Sequence, residues 1–218
     1  MQSLTTIQTI AVAIVPVLLA ITVHEAAHGL VADKLGDRTA RLAGRVTLNP
    51  LKHIDWLGTV ILPMAMFVLS GFMFGWAKPV PVNWRNLHNP RRDTALVALA
   101  GPGANFVMLI FWSMMLAVPS LLELGQWSAI PLFYMSSYGI LINAVLMALN
   151  LLPILPLDGG RVLNSLLPAG LSQVYQKTEP WGLLILIALL VSGLLQLILW
   201  PLIEMLQAFS ALIAGIFL

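Results

Sequence analysis

Two histidines and a glutamate lie within five residues of an apolar stretch near the start of the sequence. His24 and His28 are four residues apart, so a helix carries both on one face, one turn from each other. Both imidazoles can then reach a single metal ion, and Glu25, beside the first of them, can activate water at that metal. The alternative is a bundle helix in which Glu25 pairs with a histidine only to hold the bundle together.

The surroundings of this group favour chemistry over packing. The apolar run over residues 7–32 is long enough to cross a membrane, and Glu25 is its one carboxylate. Ionisable groups inside a membrane segment are costly, because hydrocarbon cannot solvate them, and they usually serve a function. The pattern His-Glu-x-x-His on a helix is typical of zinc-dependent peptide hydrolysis.

The composition fixes the class of protein. Of 218 residues 59% are hydrophobic and 9% are charged, whereas a soluble domain carries about 25% charged residues. We therefore predict an all-α polytopic membrane protein, a transmembrane helix bundle with short extended segments at the membrane edge. It forms one domain over residues 1–218, with a core at 7–161 and C-terminal helices at 181–218. The lipid bilayer is one partner.

Charge, cysteine content and the length of the first apolar run narrow the possible partners, metal ligands and targeting signals. The net charge of +2 comes from basic residues in loops, so we expect no nucleic acid partner. Cysteine is absent, so a metal must be held by nitrogen and oxygen atoms. The first apolar run is too long for a cleavable signal peptide and lacks a basic start.

The remaining segments are assigned from apolar runs and helix breakers. Alternation over residues 41–48 predicts a short strand, and two prolines predict an extended chain over residues 75–83. Further membrane segments are expected at 93–118, 131–152, 181–199 and 202–218, with the last break at Trp200-Pro201. His53 is expected to be an interfacial or capping residue and His88 to be solvated.

A third candidate ligand follows the third long apolar segment. Pro153 and Pro156 break that helix, which frees backbone carbonyls and turns Asp158 away from a regular helical position. Irregular backbone at membrane depth occurs where it lines a cavity or is buried in protein. Asp158 is thus a candidate oxygen ligand; alternatively, it is a turn residue before Gly159-Gly160.

A buried asparagine is the last candidate. Asn105 lies four residues after Gly101, in the sequence Gly101-Pro102-Gly103-Ala104-Asn105. An asparagine in an apolar helix needs a hydrogen-bond partner. Its side-chain amide is a plausible donor to a reaction oxyanion, and the alternative role is adhesion between helices.

The basic loops predict the topology. Residues 33–55 and 78–92 both carry several Lys or Arg residues, and the positive-inside rule disfavours opposite sides. We therefore predict that residues 55–83 dip into the membrane and return, or cross it twice. Asp158 then arrives at the same face as His28. The active site is expected near the cytoplasmic face of the cell membrane.

Taken together, these motifs resemble the site-2 protease family of intramembrane zinc metalloproteases, from residue 7 to Arg161. The resemblance implies one zinc ion per chain, bound by His24, His28 and Asp158. It implies that Glu25 is the catalytic acid and base and that Asn105 acts on the substrate, a transmembrane protein. The chain is similar to compact members of the family, without the PDZ or CBS domains of larger ones. The oligomeric state is not predicted.

Two other functions use the same residue types. A metal transporter or channel would need a polar path across the whole bilayer, and a second tier of ionisable residues is missing from the far halves of the segments. A non-catalytic metal-binding protein or scaffold would need no base between the ligands, whereas Glu25 is present.

Overall fold

The structure is a computed structural model that describes residues 4–61 and 78–217. Eight α-helices lie in these ranges, and they contain no strand. They are α1 (Thr6–Lys34), α2 (Thr39–Leu42), α3 (Pro90–Leu121), α4 (Gln126–Asn150), α5 (Asp158–Leu166), α6 (Ala169–Gln176), α7 (Gly182–Val191) and α8 (Leu194–Ile216). A π-helical turn occupies Trp56–Ile61.

The predicted fold class is confirmed, and the predicted strand over residues 41–48 is wrong. The start of that stretch is helical in α2, and the rest forms turns around Gly44, which has a φ of 63°. A short alternation of apolar residues gives no strand where no second strand pairs with it.

Within residues 4–61 and 78–217, five segments are long and apolar enough to cross a membrane: Thr6–Lys34, Pro90–Leu121, Gln126–Asn150, Ala169–Val191 and Leu194–Ile216. Helices of this length and composition are those of a multi-pass membrane protein. Of the stretch over residues 55–83, predicted to dip into the membrane or to cross it twice, residues 62–77 lie outside the described residues.

The central element is α3, which packs against α1, α4, α5 and α8. Its buried face includes Leu109 and Trp112, which belong to one apolar core with Ile140 of α4 and Leu199 of α8. Pro102 lies inside α3 without ending it. Membrane helices tolerate such prolines because neighbouring groups satisfy the freed backbone atoms.

The chain breaks where Pro153 and Pro156 predicted. Helix α4 ends at Asn150, and α5 begins at Asp158. A Cβ on Gly159 would come within 2.5 Å of the Leu152 carbonyl oxygen, and one on Gly160 within 2.5 Å of the Ile154 carbonyl carbon. The two glycines therefore let α5 start directly against the irregular segment that precedes it.

The last predicted break is misplaced. The chain turns at Gly193, which has a φ of 76°, while Pro201 lies within α8. Glycine reaches positive φ without steric cost and so permits the turn between α7 and α8. The two C-terminal helices are thus displaced by about two turns from the predicted boundary.

Both basic loops lie at one end of the bundle. Asp37 accepts hydrogen bonds from the Asn83 backbone at 2.7 Å and the Asn86 side chain at 2.9 Å. Burial raises the pKa of Asp37, but hydrogen bonds from Thr39, Asn86 and Asn83 outweigh it and lower that pKa below its ordinary value. The carboxylate therefore joins the two loops in its charged form.

The backbone at Lys78 lies next to the backbone at His53. The Lys78 N–H donates to the His53 carbonyl at 2.9 Å, so the ends of the segment between them meet. This agrees with the prediction that both loops lie on one side. How residues 62–77 run between these points lies outside the described residues.

Candidate metal centre

Helix α1 brings the two histidines together. His24 and His28 are buried, and their Nε2 atoms are 3.1 Å apart. The ring centroids are separated by 4.7 Å with the planes at 81°. The one-turn spacing of the sequence therefore gives the convergence that it predicts.

Helix α5 adds the third atom. Asp158 is its first residue, and its Oδ2 lies 3.3 Å from Nε2 of both histidines. The carboxylate faces inward from the first turn of a short helix, whereas we expected it outside a regular helix. A carboxylate is favourable there because the helix dipole is positive at the N-terminus.

The other ring nitrogens determine which atoms face the centre. His24 Nδ1 lies 2.6 Å from Asn105 Oδ1, and His28 Nδ1 lies 2.7 Å from the Val97 carbonyl oxygen. Both partners are acceptors, so each Nδ1 carries a hydrogen, and in the neutral form of each ring the Nε2 atom presents a lone pair.

Three lone pairs therefore converge within 3.3 Å of one another, and this suits a cation. Asp158 Oδ2 is buried and meets no hydrogen-bond donor among the described residues. For zinc bonds of about 2.0–2.1 Å, the edge of a tetrahedron is about 3.3 Å, close to the observed separations. His24, His28 and Asp158 form the one group in the described residues that could hold a metal.

Gly101 makes room for the two imidazoles. A Cβ there would overlap with His28 Nε2 and lie 2.5 and 2.6 Å from Cε1 and Nε2 of His24. Helix α3 can approach the histidines this closely because residue 101 has no side chain. The sequence motif thus contributes a close approach that its spacing alone does not reveal.

Glu25 lies beside this centre and is held separately. Its Oε2 accepts the Val80 N–H at 2.7 Å. Arg45, which is buried, donates to the carbonyls of Lys78 at 2.7 Å and Pro79 at 3.3 Å. Residues 78–83 are thus fixed against α1, and the Glu25 carboxylate is bonded to this segment.

Asn105 is fully buried, and all its polar groups are engaged. Its Oδ1 meets His24, while its Nδ2 donates to the Ala20 carbonyl at 3.3 Å and Asn143 Oδ1 at 2.9 Å. A role as oxyanion donor stays a prediction. The contacts themselves support a role in orienting His24.

The other two histidines lie apart from the centre. His53 is buried, its Nε2 is 3.1 Å from the Thr47 carbonyl oxygen, and it follows the last residue of a short 3₁₀ turn. His88 is exposed. Both agree with the expected capping and solvated roles.

Sequence reasoning missed three contributors to the site. Two are backbone groups, the Val97 carbonyl and the Val80 N–H, which no residue type reveals. The third is Asn143, which could have been found as a second asparagine inside an apolar segment, since such a group needs a buried partner.

Comparisons with known proteins agree with this centre. Residues 112–193 match the model of the family described as peptidase family M50. "Putative zinc metalloprotease YwhC" of Bacillus subtilis strain 168 is 35% identical over an alignment of 206 residues that covers 91% of each protein. "Putative zinc metalloprotease Rip2" of Mycolicibacterium smegmatis is 31% identical over 184 residues, 80% of this chain and 64% of that protein.

The Rip2 protein of Mycobacterium tuberculosis strain H37Rv is also similar, at 27% identity over 79% of this chain and 63% of its own length. No solved structure matches the chain. The similarity to the Bacillus protein spans nearly the full length of both sequences. The chain therefore belongs to peptidase family M50, the site-2 protease family, whose members are zinc metalloproteases.

Proposed function

We propose that this protein is an intramembrane metalloprotease that hydrolyses peptide bonds in or near transmembrane segments of membrane proteins. The observation that carries the proposal is the convergence of three buried lone pairs beside Glu25, within a bundle of apolar helices. His24 Nε2, His28 Nε2 and Asp158 Oδ2 would hold one zinc ion. When bound, such an ion would supply Lewis-acid chemistry for the peptide carbonyl and for water.

Glu25 is the proposed general base and acid. Its carboxylate takes a proton from the attacking water and gives it to the leaving amine. The Val80 N–H on Oε2 steadies the carboxylate in one orientation. For Asn105 Nδ2 to donate to an oxyanion, it would have to leave Ala20 or Asn143, so we assign Asn105 the orientation of His24.

The substrate must reach this centre in an unwound form. A peptide bond inside a helix has its carbonyl in the hydrogen-bond ladder, and its freed backbone groups need new partners in lipid. Residues 78–83 belong to no helix and lie against Glu25, and their two prolines favour an extended backbone, so they are a suitable strand for pairing with the substrate. Residues 41–48, the other sequence candidate, are folded into turns and α2.

The two alternatives are less well supported. A transporter needs ionisable groups along a path across the bilayer. The described residues hold one cluster of candidate metal ligands, formed by His24, His28 and Asp158. Farther into the bundle, the buried polar pair of Ser113 and Ser210 is neutral. A scaffold that only binds metal would give no reason for a carboxylate held beside the ligands.

The deciding experiment uses the full chain in proteoliposomes with a single-pass membrane protein tagged at both ends. We expect one cut in or beside the transmembrane segment, lost on zinc chelation and restored by zinc. Mass spectrometry would locate the cut and detect one ¹⁸O atom from labelled water in the new carboxylate. Absence of cleavage by zinc-loaded protein, or zinc entry into the vesicles, would instead favour the scaffold or the transporter.

We also propose that the centre opens towards the cytoplasm. All eleven Lys and Arg residues fall within segments 34–52, 78–92 and 161–177, and these segments contact one another at the metal end. Positive charge in short loops is retained in the cytoplasm. Single cysteines at Arg38 and at Glu123, in this cysteine-free chain, should label from opposite sides with an impermeant thiol reagent, Arg38 from the cytoplasm. External labelling at Arg38 would reverse the orientation.

A further inference from the structure

We propose that Asn143 of α4 is a positioning residue that acts through Asn105 to fix the tautomer of His24. The inference rests on the proposed function only in taking His24 as a metal ligand. Asn143 forms no hydrogen bond with His24 or His28, and no sequence motif includes it. Its effect passes through a series of three hydrogen bonds between buried groups.

The series begins at a backbone carbonyl and ends at the imidazole. Asn143 Nδ2 donates to the Gly139 carbonyl at 2.8 Å, and Asn143 Oδ1 accepts from Asn105 Nδ2 at 2.9 Å. Asn105 Oδ1 then meets His24 Nδ1 at 2.6 Å. Each bond joins one donor to one acceptor, so the series has a direction.

The direction of the hydrogen-bond series is set at the Gly139 carbonyl, the end opposite His24. A carbonyl oxygen can only accept, so Gly139 requires the amide nitrogen of Asn143 and leaves Oδ1 for Asn105. The Ala20 carbonyl, 3.3 Å from Asn105 Nδ2, makes the same demand on Asn105. Asn105 must therefore turn its oxygen to His24, and His24 must carry its hydrogen on Nδ1.

Reversing either amide would be costly. A flipped Asn105 would set its oxygen against the oxygens of Ala20 and Asn143 with no hydrogen between them. Asn105 and Asn143 are fully buried, so water cannot supply the missing hydrogens. An unsatisfied buried polar group loses its hydration without a replacement hydrogen bond, and this penalty keeps the series in one direction.

Metal binding requires the hydrogen of His24 to be on Nδ1. Zinc binds the lone pair of a neutral imidazole, and the hydrogen bond at the other nitrogen decides which atom offers it. With Nδ1 protonated, His24 Nε2 faces His28 Nε2 and Asp158 Oδ2 as a lone pair. The opposite tautomer would put a hydrogen where the metal binds.

The competing role for Asn143 is adhesion between α3 and α4. The two roles make different predictions, because adhesion affects stability without a specific effect on zinc. Ser113 provides the matched control, since it is equally buried on α3 and bonds to Ser210 at 2.7 Å, away from the histidines. Ser113→Ala removes a buried interhelical contact and leaves the series intact.

The experiment compares Asn143→Leu, Asn143→Asp and Ser113→Ala in the full chain in detergent. Zinc Kd is measured by competition with a chromophoric chelator, and the His24 tautomer of the metal-free protein by ¹⁵N NMR. We expect the wild type to be protonated at Nδ1. Asn143→Leu should raise the zinc Kd by about 10–100-fold and mix the tautomers.

The Asn143→Asp variant tests rescue. A protonated, neutral carboxyl group at this position can still donate to the Gly139 carbonyl and accept from Asn105, so zinc Kd and tautomer should stay near the wild type, as they should in Ser113→Ala. If Asn143→Leu lowers Tm but leaves both readouts unchanged, or if the wild type is protonated at Nε2, the inference is overturned. Wild-type protein that binds no zinc would refute the proposed function. The His24 tautomer of the metal-free protein would still decide the inference about Asn143.

Discussion

Replacing Glu25 by glutamine should abolish peptide-bond cleavage while zinc stays bound. The Glu25 carboxylate lies beside the three converging atoms and is not among them. Glutamine has the same shape, and its carbonyl oxygen can still accept the Val80 N–H, so the segment over α1 should remain in place. What is lost is proton transfer, which contributes about 10²–10⁴-fold in enzymes.

The measurement pairs single-turnover cleavage with zinc content by mass spectrometry. Glu204→Gln makes the same chemical change at an exposed position of α8 and serves as the matched control. We expect it to cleave normally. Normal turnover by Glu25→Gln would refute the proposed mechanism, and loss of zinc together with activity would mean that Glu25 helps to hold the metal.

Adding one methyl group at Gly101 should disable the centre. The new Cβ would overlap with the two imidazoles, which cannot move away without breaking their Nδ1 bonds. Overpacking of this kind costs about 1–3 kcal/mol or more. We expect Gly101→Ala to weaken zinc binding by about 10-fold or more and to reduce cleavage accordingly.

Gly103→Ala is the control that the chain itself offers. Two residues further along α3, an added Cβ meets no atom within 4 Å. Alanine is better than glycine in a helix by about 1 kcal/mol, so this variant should be slightly more stable and bind zinc normally. Equal zinc Kd and equal Tm for the two variants would show that the close approach at Gly101 is not needed.

Local spacing made much of the site predictable. The four-residue interval between His24 and His28 defines a face of α1 whatever the rest of the chain does. Pro153 and Pro156 end a helix by covalent geometry, so the break before Asp158 could be foreseen. The charge distribution likewise placed both basic loops together, because membrane insertion responds to charge.

The errors arose where tertiary contacts decide. The alternation over residues 41–48 needed a pairing strand, and the described residues provide none. Pro201 fits within α8, while Gly193 makes the turn. Either residue could have broken the run, and the choice depends on how α8 packs against α3 and α4.

The contacts around the imidazoles could not be predicted, because they join residues far apart in sequence. Asn105 and His24 are 81 positions apart, and Val80 and Glu25 are 55 apart. In addition, two of the partners are backbone groups. The sequence could indicate that Asn105 needed a partner, but the identity of the partner emerges only when α1, α3 and α4 are assembled.

The two prolines beside Val80 leave residues 79–81 with backbone hydrogen-bond acceptors but without a free backbone donor. Pro79 and Pro81 have no N–H, and the single N–H between them is taken by Glu25. Among the described residues no backbone donor meets the carbonyls of Val80 and Pro81. A substrate strand lying along residues 79–81 therefore finds only acceptors there. Such a strand can be held through its own N–H groups. Its carbonyl groups, which contain the carbon atom that water must attack, then stay free.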